Sequence, residues 1–244
     1  MADAELKRQQ YDQAERELDQ LLGCQALPAI DTFNLGWFYG RARNFRKALS
    51  EFNSVSKDVP NTRTHQYAIA LAQFELTEYN AAVETLKNNP EGQDLSQESA
   101  SLLAVSYSKL GRYSESYTVL TDEIHRHPDD RLAYLNLVTL LCDEGKLADA
   151  VGVADKAIST FPGNAEMLVV RGAARTLVGD TVKARTDFHA AIEASPLYGP
   201  PRFFLAVSAY KEGNYALARE EILQAIRAGV KDADLYYLLA EVRL

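Results

Sequence analysis

A period of 34 residues runs through the chain. Stepping from Ala150 in both directions gives Ala14, Ala48, Ala82, Ser116, Ala150, Ala184 and Ala218, seven small residues with no insertion between them. Three positions before these anchors stand Tyr11, Phe45, Tyr79, Tyr113, Leu147, Thr181 and Tyr215. Five before them, Gly111, Gly145, Gly179 and Gly213 supply a residue that takes positive φ at little cost, as the turn past a helix end requires. Twelve after them come Pro60, Pro128, Pro162 and Pro196, which cannot continue a helix. The stretches between, such as AYLNLVTLLCDEG and LADAVGVADKAISTFP, carry apolar residues at helical spacing. Each period therefore encodes a helix, a turn and a second helix. A chain of such units stacks neighbour on neighbour instead of folding around one central core.

A second row of small residues lies twelve positions before the anchors: Gly36, Ala70, Ala104, Gly172 and Ala206. Two antiparallel helices can then approach with little side chain between them, and a larger residue at such a point would overpack by about 1–3 kcal/mol. The adjoining volume is assigned to Leu35, Ile69, Leu103, Leu137 and Leu205 on first helices, and to Phe52, Leu86, Leu120, Phe188 and Ile222 on second helices. Three residues depart from the pattern. Val138 occupies a small site, while Arg171 and Arg175 occupy apolar ones and are expected to snorkel or to pair with acids. In NAAVETLKNNPEGQDLSQES the second helix is expected to end early, at Pro90, leaving a polar loop without changing the period.

The spacing, the paired small residues, the aromatic after the glycine turn and the closing proline together resemble the tetratricopeptide repeat (TPR) family. The resemblance covers essentially the whole chain as a single array over 1–244. It comprises full repeats at 29–62, 63–96, 97–130, 131–164, 165–198 and 199–232, with a partial repeat at 1–28 and a capping helix at 233–244. It implies an all-α fold, a right-handed α-solenoid (superhelix) of helix-turn-helix units whose first helices line a concave groove.

Function in such a solenoid belongs to that inner wall. Fifteen, eleven and eight positions before the anchors, the inward residues concentrate aromatic and apolar side chains at two places: Phe33, Trp37, Tyr67, Leu71 and Phe74, then Phe203, Val207 and Tyr210 with Tyr237 continuing the series. Aromatic anchors in a concavity carry much of the energy of protein recognition. Some family members hold a peptide's terminal carboxylate with Lys and Asn, and here Phe33 and Trp37 stand at those sites. The expectation is a non-catalytic protein-protein interaction scaffold that receives an extended or helical segment of a partner protein in an apolar groove. A second reading is homotypic assembly through the terminal helices, because Tyr236, Leu239 and Ala240 would face no second helix. A third makes the chain an adaptor region of a larger enzyme or of a secretion or assembly component.

Composition narrows the partners. A net charge of −8 with a pI near 5.1 argues against nucleic acid, whose binding needs clustered cations. Cys24 and Cys142 have no CxxC spacing and read as small apolar residues. His125 and His127 flank an HRHP turn without a placed third ligand, so neither a metal nor a cofactor is expected. Phosphate-cradling glycine motifs are missing, no nucleophile-base set is indicated, and no catalytic residue is assigned. The chain has no run of 18 apolar residues, and it starts with the charged helical pattern MADAELKRQQYDQAERELDQLL. A soluble chain without direct membrane insertion is expected; the compartment is left open, with cytoplasm favoured over export, which a removed leader would allow.

Overall fold

Thirteen helices and no strand are found among the described residues of the computed structural model, which cover 28–55, 63–88, 95–231 and 233–242 together with positions 10, 13, 14, 16 and 17. The helices come in pairs: α1 (Ala29–Arg41) with α2 (Phe45–Ser54), α3 (Arg63–Glu75) with α4 (Tyr79–Lys87), α5 (Gln97–Lys109) with α6 (Tyr113–Arg126). There follow α7 (Arg131–Asp143) with α8 (Leu147–Thr160), α9 (Ala165–Val178) with α10 (Thr181–Ala194), α11 (Pro200–Lys211) with α12 (Tyr215–Arg227), and α13 (Ala233–Glu241). Tyr11, Cys24, Pro60 and Pro90 lie outside the described residues, as does most of the segment read as the first partial repeat. The chain divides into two compact units, Met1–Val119 and Leu120–Leu244, with the boundary inside α6.

The turns form as the glycines dictate. Gly111, Gly145, Gly179 and Gly213 all have left-handed backbone, with φ between 71° and 92°. In the first two pairs the same turn position is filled by Arg43 (φ 61°) and Thr77 (φ 63°), where a side chain must bear a conformation that glycine takes freely. The next residue often caps the second helix: Asn44, Asp180 and Asn214 each accept a hydrogen bond from the backbone N–H three residues on.

Ala48, Ala82, Ser116, Ala150, Ala184 and Ala218 are all buried, and so are Gly36, Ala70, Ala104, Val138, Gly172 and Ala206 opposite them. Ser116 keeps its buried hydroxyl satisfied by donating to the carbonyl of Ala104 at 2.8 Å. Each unit is a relay of small cores drawn from three consecutive helices. In the first unit, Leu35, Ala48, Phe52 and Ala68 join α1, α2 and α3, and Ala70, Val83, Leu86 and Leu103 join α3, α4 and α5. In the second unit, Leu168, Ala184, Phe188 and Leu205 join α9, α10 and α11, and Ala206, Ile222 and Leu235 join α11, α12 and α13. Helix α13 thus buries Leu235, Leu238 and Leu239. Leu239, expected to face open space at the end of the stack, lies in that core, while its neighbours Tyr236 and Ala240 are exposed.

Arg171 and Arg175 resolve by pairing. Both stand on α9 and reach Asp187 on α10: Arg171 donates to its two carboxylate oxygens at 3.1 and 2.6 Å, and Arg175 donates to it at 2.7 Å. Asp187 is buried, and Asp155 on α8, half exposed, accepts from Arg171 at 2.8 Å.

Candidate functional site

First helices touch second helices and also the first helices of the next pair. Helix α3 packs on α5 in the first unit, and α9 packs on both α7 and α11 in the second. Their remaining faces form a wall of side chains within each unit, where the expected recognition residues stand.

In the first unit Phe33 and Trp37 meet edge to face with centroids 6.3 Å apart, and both lean on the buried ring of Phe52 at 5.4 and 5.8 Å. Phe33 also meets His65 at 5.6 Å, and the His65 Nε2 lies 2.8 Å from the backbone oxygen of Phe52. Phe33 and Trp37 are therefore half-buried: one side packs the core and the other is open. Tyr67, Leu71 and Phe74 pack in the same partly buried manner on the next core, and Phe74 contacts Tyr79 at 5.2 Å. Burial, with the Glu98 carboxylate adding to it, pushes the Tyr67 phenol above its ordinary pKa.

Trp37 and Leu71 converge on an apolar pocket of about 190 Å³, walled also by Gly40, Phe45, Phe52 and three alanines, Ala48, Ala68 and Ala72, with Arg41 at its side. The pocket exists because the side chains around it are small: a Cβ added at Gly40 would meet nothing within 4 Å. Phe33, Tyr67 and Phe74 do not line it. Ala68, Ala72 and Arg41 line the pocket without having any reading at the level of sequence, and Phe45 reads there only as the aromatic that closes a turn. The available signal was the stretch RARNFRK, 41–47, dense in cations beside an aromatic.

In the second unit Phe203, Val207 and Tyr210 lie on α11, partly buried against the core of α11, α12 and α13. The Tyr210 hydroxyl donates to Glu241 at 3.4 Å and its ring contacts Tyr215 at 5.6 Å. Partial burial, then the Glu241 carboxylate, raises its pKa. Tyr237 stands apart on α13 with 69% of its surface exposed. Elsewhere the wall is uneven: Val169 and Ser101 are buried, whereas Thr139 and Thr176 are exposed. Among the described residues, no three His, Cys, Asp or Glu side chains gather as a metal site, and no helix is long and apolar enough to cross a membrane.

Paired helices with close contacts at alanine-sized points, presenting first-helix side chains on a wall, define a helical-repeat scaffold. A family model described as "Tetratricopeptide repeat" matches residues 101–165, 178–233 and 203–244, and the chain belongs to that family. By sequence, no curated protein matches it. Among solved structures it is similar to a tetratricopeptide repeat protein from Parabacteroides merdae, at 17% identity and a TM-score of 0.74, over 98% of this chain and 94% of that one. It is also similar to PilW, a widely conserved type IV pilus biogenesis factor, at 17% identity and 0.66, over 88% and 100% of the two chains. The C-terminal part of a TPR repeat-containing protein from Cytophaga hutchinsonii gives 17% identity and 0.63, over 86% and 84%. At these identities the likeness is one of fold. Repeats of this family are in general scaffolds for protein-protein interaction and carry no catalysis.

Proposed function

We propose that this chain captures a segment of a partner protein by seating a bulky apolar side chain in the pocket of Trp37, Gly40 and Leu71. The observation that carries the reading is the pocket itself, an apolar volume of about 190 Å³ held open by a glycine and three alanines. An apolar side chain entering it exchanges water for carbon on its walled sides, worth about 25 cal/mol per Å² of apolar surface removed from solvent. Phe33, Tyr67 and Phe74 flank the pocket on the same first helices and extend the contact. Phe203, Val207, Tyr210 and Tyr237 offer the second unit's own apolar face.

The test compares capture by the wild type with capture by Gly40→Leu, which fills the pocket from a position where a Cβ meets open space, and by the pair Trp37→Ala and Tyr67→Ala. A partner retained by the wild type is expected to be lost from all three proteins while their circular dichroism is unchanged. Equal retention by Gly40→Leu would sink the assignment. A second reading, self-association through α13, draws on Tyr236 and Tyr237, which are 49% and 69% exposed on neighbouring positions. Light scattering that shows a concentration-independent monomer would defeat it.

A further inference from the structure

Four of the seven residues from Arg41 to Lys47 are cations and none is an acid, in a chain whose net charge is −8. This stretch joins α1 to α2 beside the Trp37 pocket, and its charges have unequal fates. Arg43 lies 3.9 Å from Glu75 and 5.8 Å from the centre of the Phe45 ring. Lys47 stands over the ring of Tyr39 at 5.1 Å. Arg41 lines the pocket itself and, among the described residues, has no ion-pair partner. The pocket wall is almost wholly apolar and Arg41 is an exposed residue at the end of α1; a methylene stem laid along that wall would leave the guanidinium at the rim.

We infer that the pocket selects an internal segment of a partner protein that carries an acidic side chain within one helical turn of its apolar anchor. This rests on the pocket being the binding site and adds the chemistry of its occupant. The apolar anchor drops among Trp37, Gly40 and Leu71, and the neighbouring carboxylate meets Arg41 at the rim, where a guanidinium offers paired donors to a carboxylate. A side-chain carboxylate fits better than a chain terminus. Capture of a terminus draws on several convergent donors, whereas the first-helix residues beside Arg41 in the lining, Trp37, Gly40, Ala68, Leu71 and Ala72, present an apolar surface. The cationic stretch also opposes the chain's overall negative charge, which otherwise repels acidic segments, so this end of the first unit is where such a segment is steered.

Peptides of about twelve residues, blocked at both ends and free of tryptophan, provide the probes: a central Leu or Phe with either Glu or Lys one, three or four positions away. Trp37 is the only tryptophan of the chain, so its emission reports occupancy directly. The Glu pool is expected to bind about fivefold more tightly than the Lys pool, with the preference shrinking at high salt. Arg41→Gln should bring the two pools together, and Gly40→Leu should silence both while circular dichroism stays unchanged. Equal affinity for Glu and Lys pools in the wild type, lost in Gly40→Leu, would overturn the acidic preference and leave the pocket standing. Silence from every pool would remove the pocket as well. A preference undiminished in Arg41→Gln would overturn the role of that residue. A dimer in light scattering that disappears in Gly40→Leu would place a second copy in the pocket and overturn the partner segment.

Discussion

Gly172 lies beneath the ring of Phe188, so close that a Cβ at position 172 would fall within 3.0 Å of three ring atoms. Gly36 stands in the same relation to Phe52, sixteen residues further on. The two positions trade volume from repeat to repeat: glycine with phenylalanine at 36 and 52, alanine with leucine at 70 and 86, alanine with isoleucine at 206 and 222, and valine with alanine at 138 and 154. All of these residues are buried. The departure of Val138 from the small-residue row is thereby explained, because the residue that packs at the paired position has shrunk to Ala154. Close-packed interiors conserve summed volume more strictly than the identity of either partner.

Gly172→Ala should therefore destabilise the protein by about 1–3 kcal/mol, the range for overpacking a tight contact. The same alanine should cost far less when Phe188→Leu accompanies it, since alanine with leucine is the combination used at Ala70 and Leu86. Phe188→Leu alone leaves a void and costs about 1 kcal/mol. Urea denaturation of the four proteins gives the coupling energy. A double mutant whose loss equals the sum of the two single losses would show that the sites do not share one volume.

The repeat was readable because one spacing carries several independent physical demands at once. Ala48, Ala82 and Ala150 mark close helix contacts, Gly111 and Gly145 mark left-handed turns, and the structure places each in that role. Relationships between helices were less legible. Arg171 and Arg175 read in sequence as residues that snorkel or pair with acids, and only the packing of α9 on α10 makes Asp187 their shared partner. The pocket was half legible: Trp37, Gly40 and Leu71 stand at inward positions by register, yet the void among them depends on the absence of side chains at Gly40, Ala68 and Ala72, which no spacing rule reports. Leu239 was misplaced because the pattern of a complete repeat was applied to a last helix that packs its own face on α11 and α12.

Asp187→Asn removes the charge that two largely buried guanidiniums share. Arg171 and Arg175 are 18% and 16% exposed, and among the described residues the half-exposed Asp155 is then the acid still paired with both. The expected loss is about 3 kcal/mol, the lower end for stranding a buried charge. Asp155→Asn should cost below about 1 kcal/mol, as for an exposed pair. Replacing Arg171, Arg175 and Asp187 together by Leu, Met and Ala should return stability close to the wild type, because the desolvation of the cluster is relieved along with its attraction. Thermal unfolding checks all three, and a triple variant as weak as Asp187→Asn would show that the charges hold the pair α9 and α10 outright.

Thr77 carries a β-branched side chain at φ 63°, at the turn position that Gly111, Gly145, Gly179 and Gly213 fill elsewhere. Branching at Cβ makes this region costly, by about 1–2 kcal/mol relative to a residue that visits it freely. Thr77→Gly should stabilise the protein by about 1 kcal/mol, the gain being offset in part by the wider freedom of glycine in the unfolded chain. Gly145→Thr, the reverse change at the equivalent turn, should destabilise by a similar amount. Denaturant midpoints of the two variants that move in the same direction would refute the strain.

Tyr67, on the first helix α3, links stability to pH. Its phenol is neutral when protonated, and burial, followed by the nearby Glu98 carboxylate, raises its pKa above the ordinary value of 10.0. The folded state thus holds the proton more tightly than the unfolded state. The contribution to stability is fully present below pH 10 and is lost as pH rises through the folded-state value. The wild type should therefore lose stability between pH 9 and pH 11 more steeply than Tyr67→Phe, which has no proton to release. Glu98→Gln should flatten the slope only in part, because burial is the larger cause and remains. The phenolate band in the difference spectrum of wild type and Tyr67→Phe follows the same ionisation directly. A band that rises at the pH of free tyrosine would show that the Tyr67 ring stands in water instead of against the core beside Leu71.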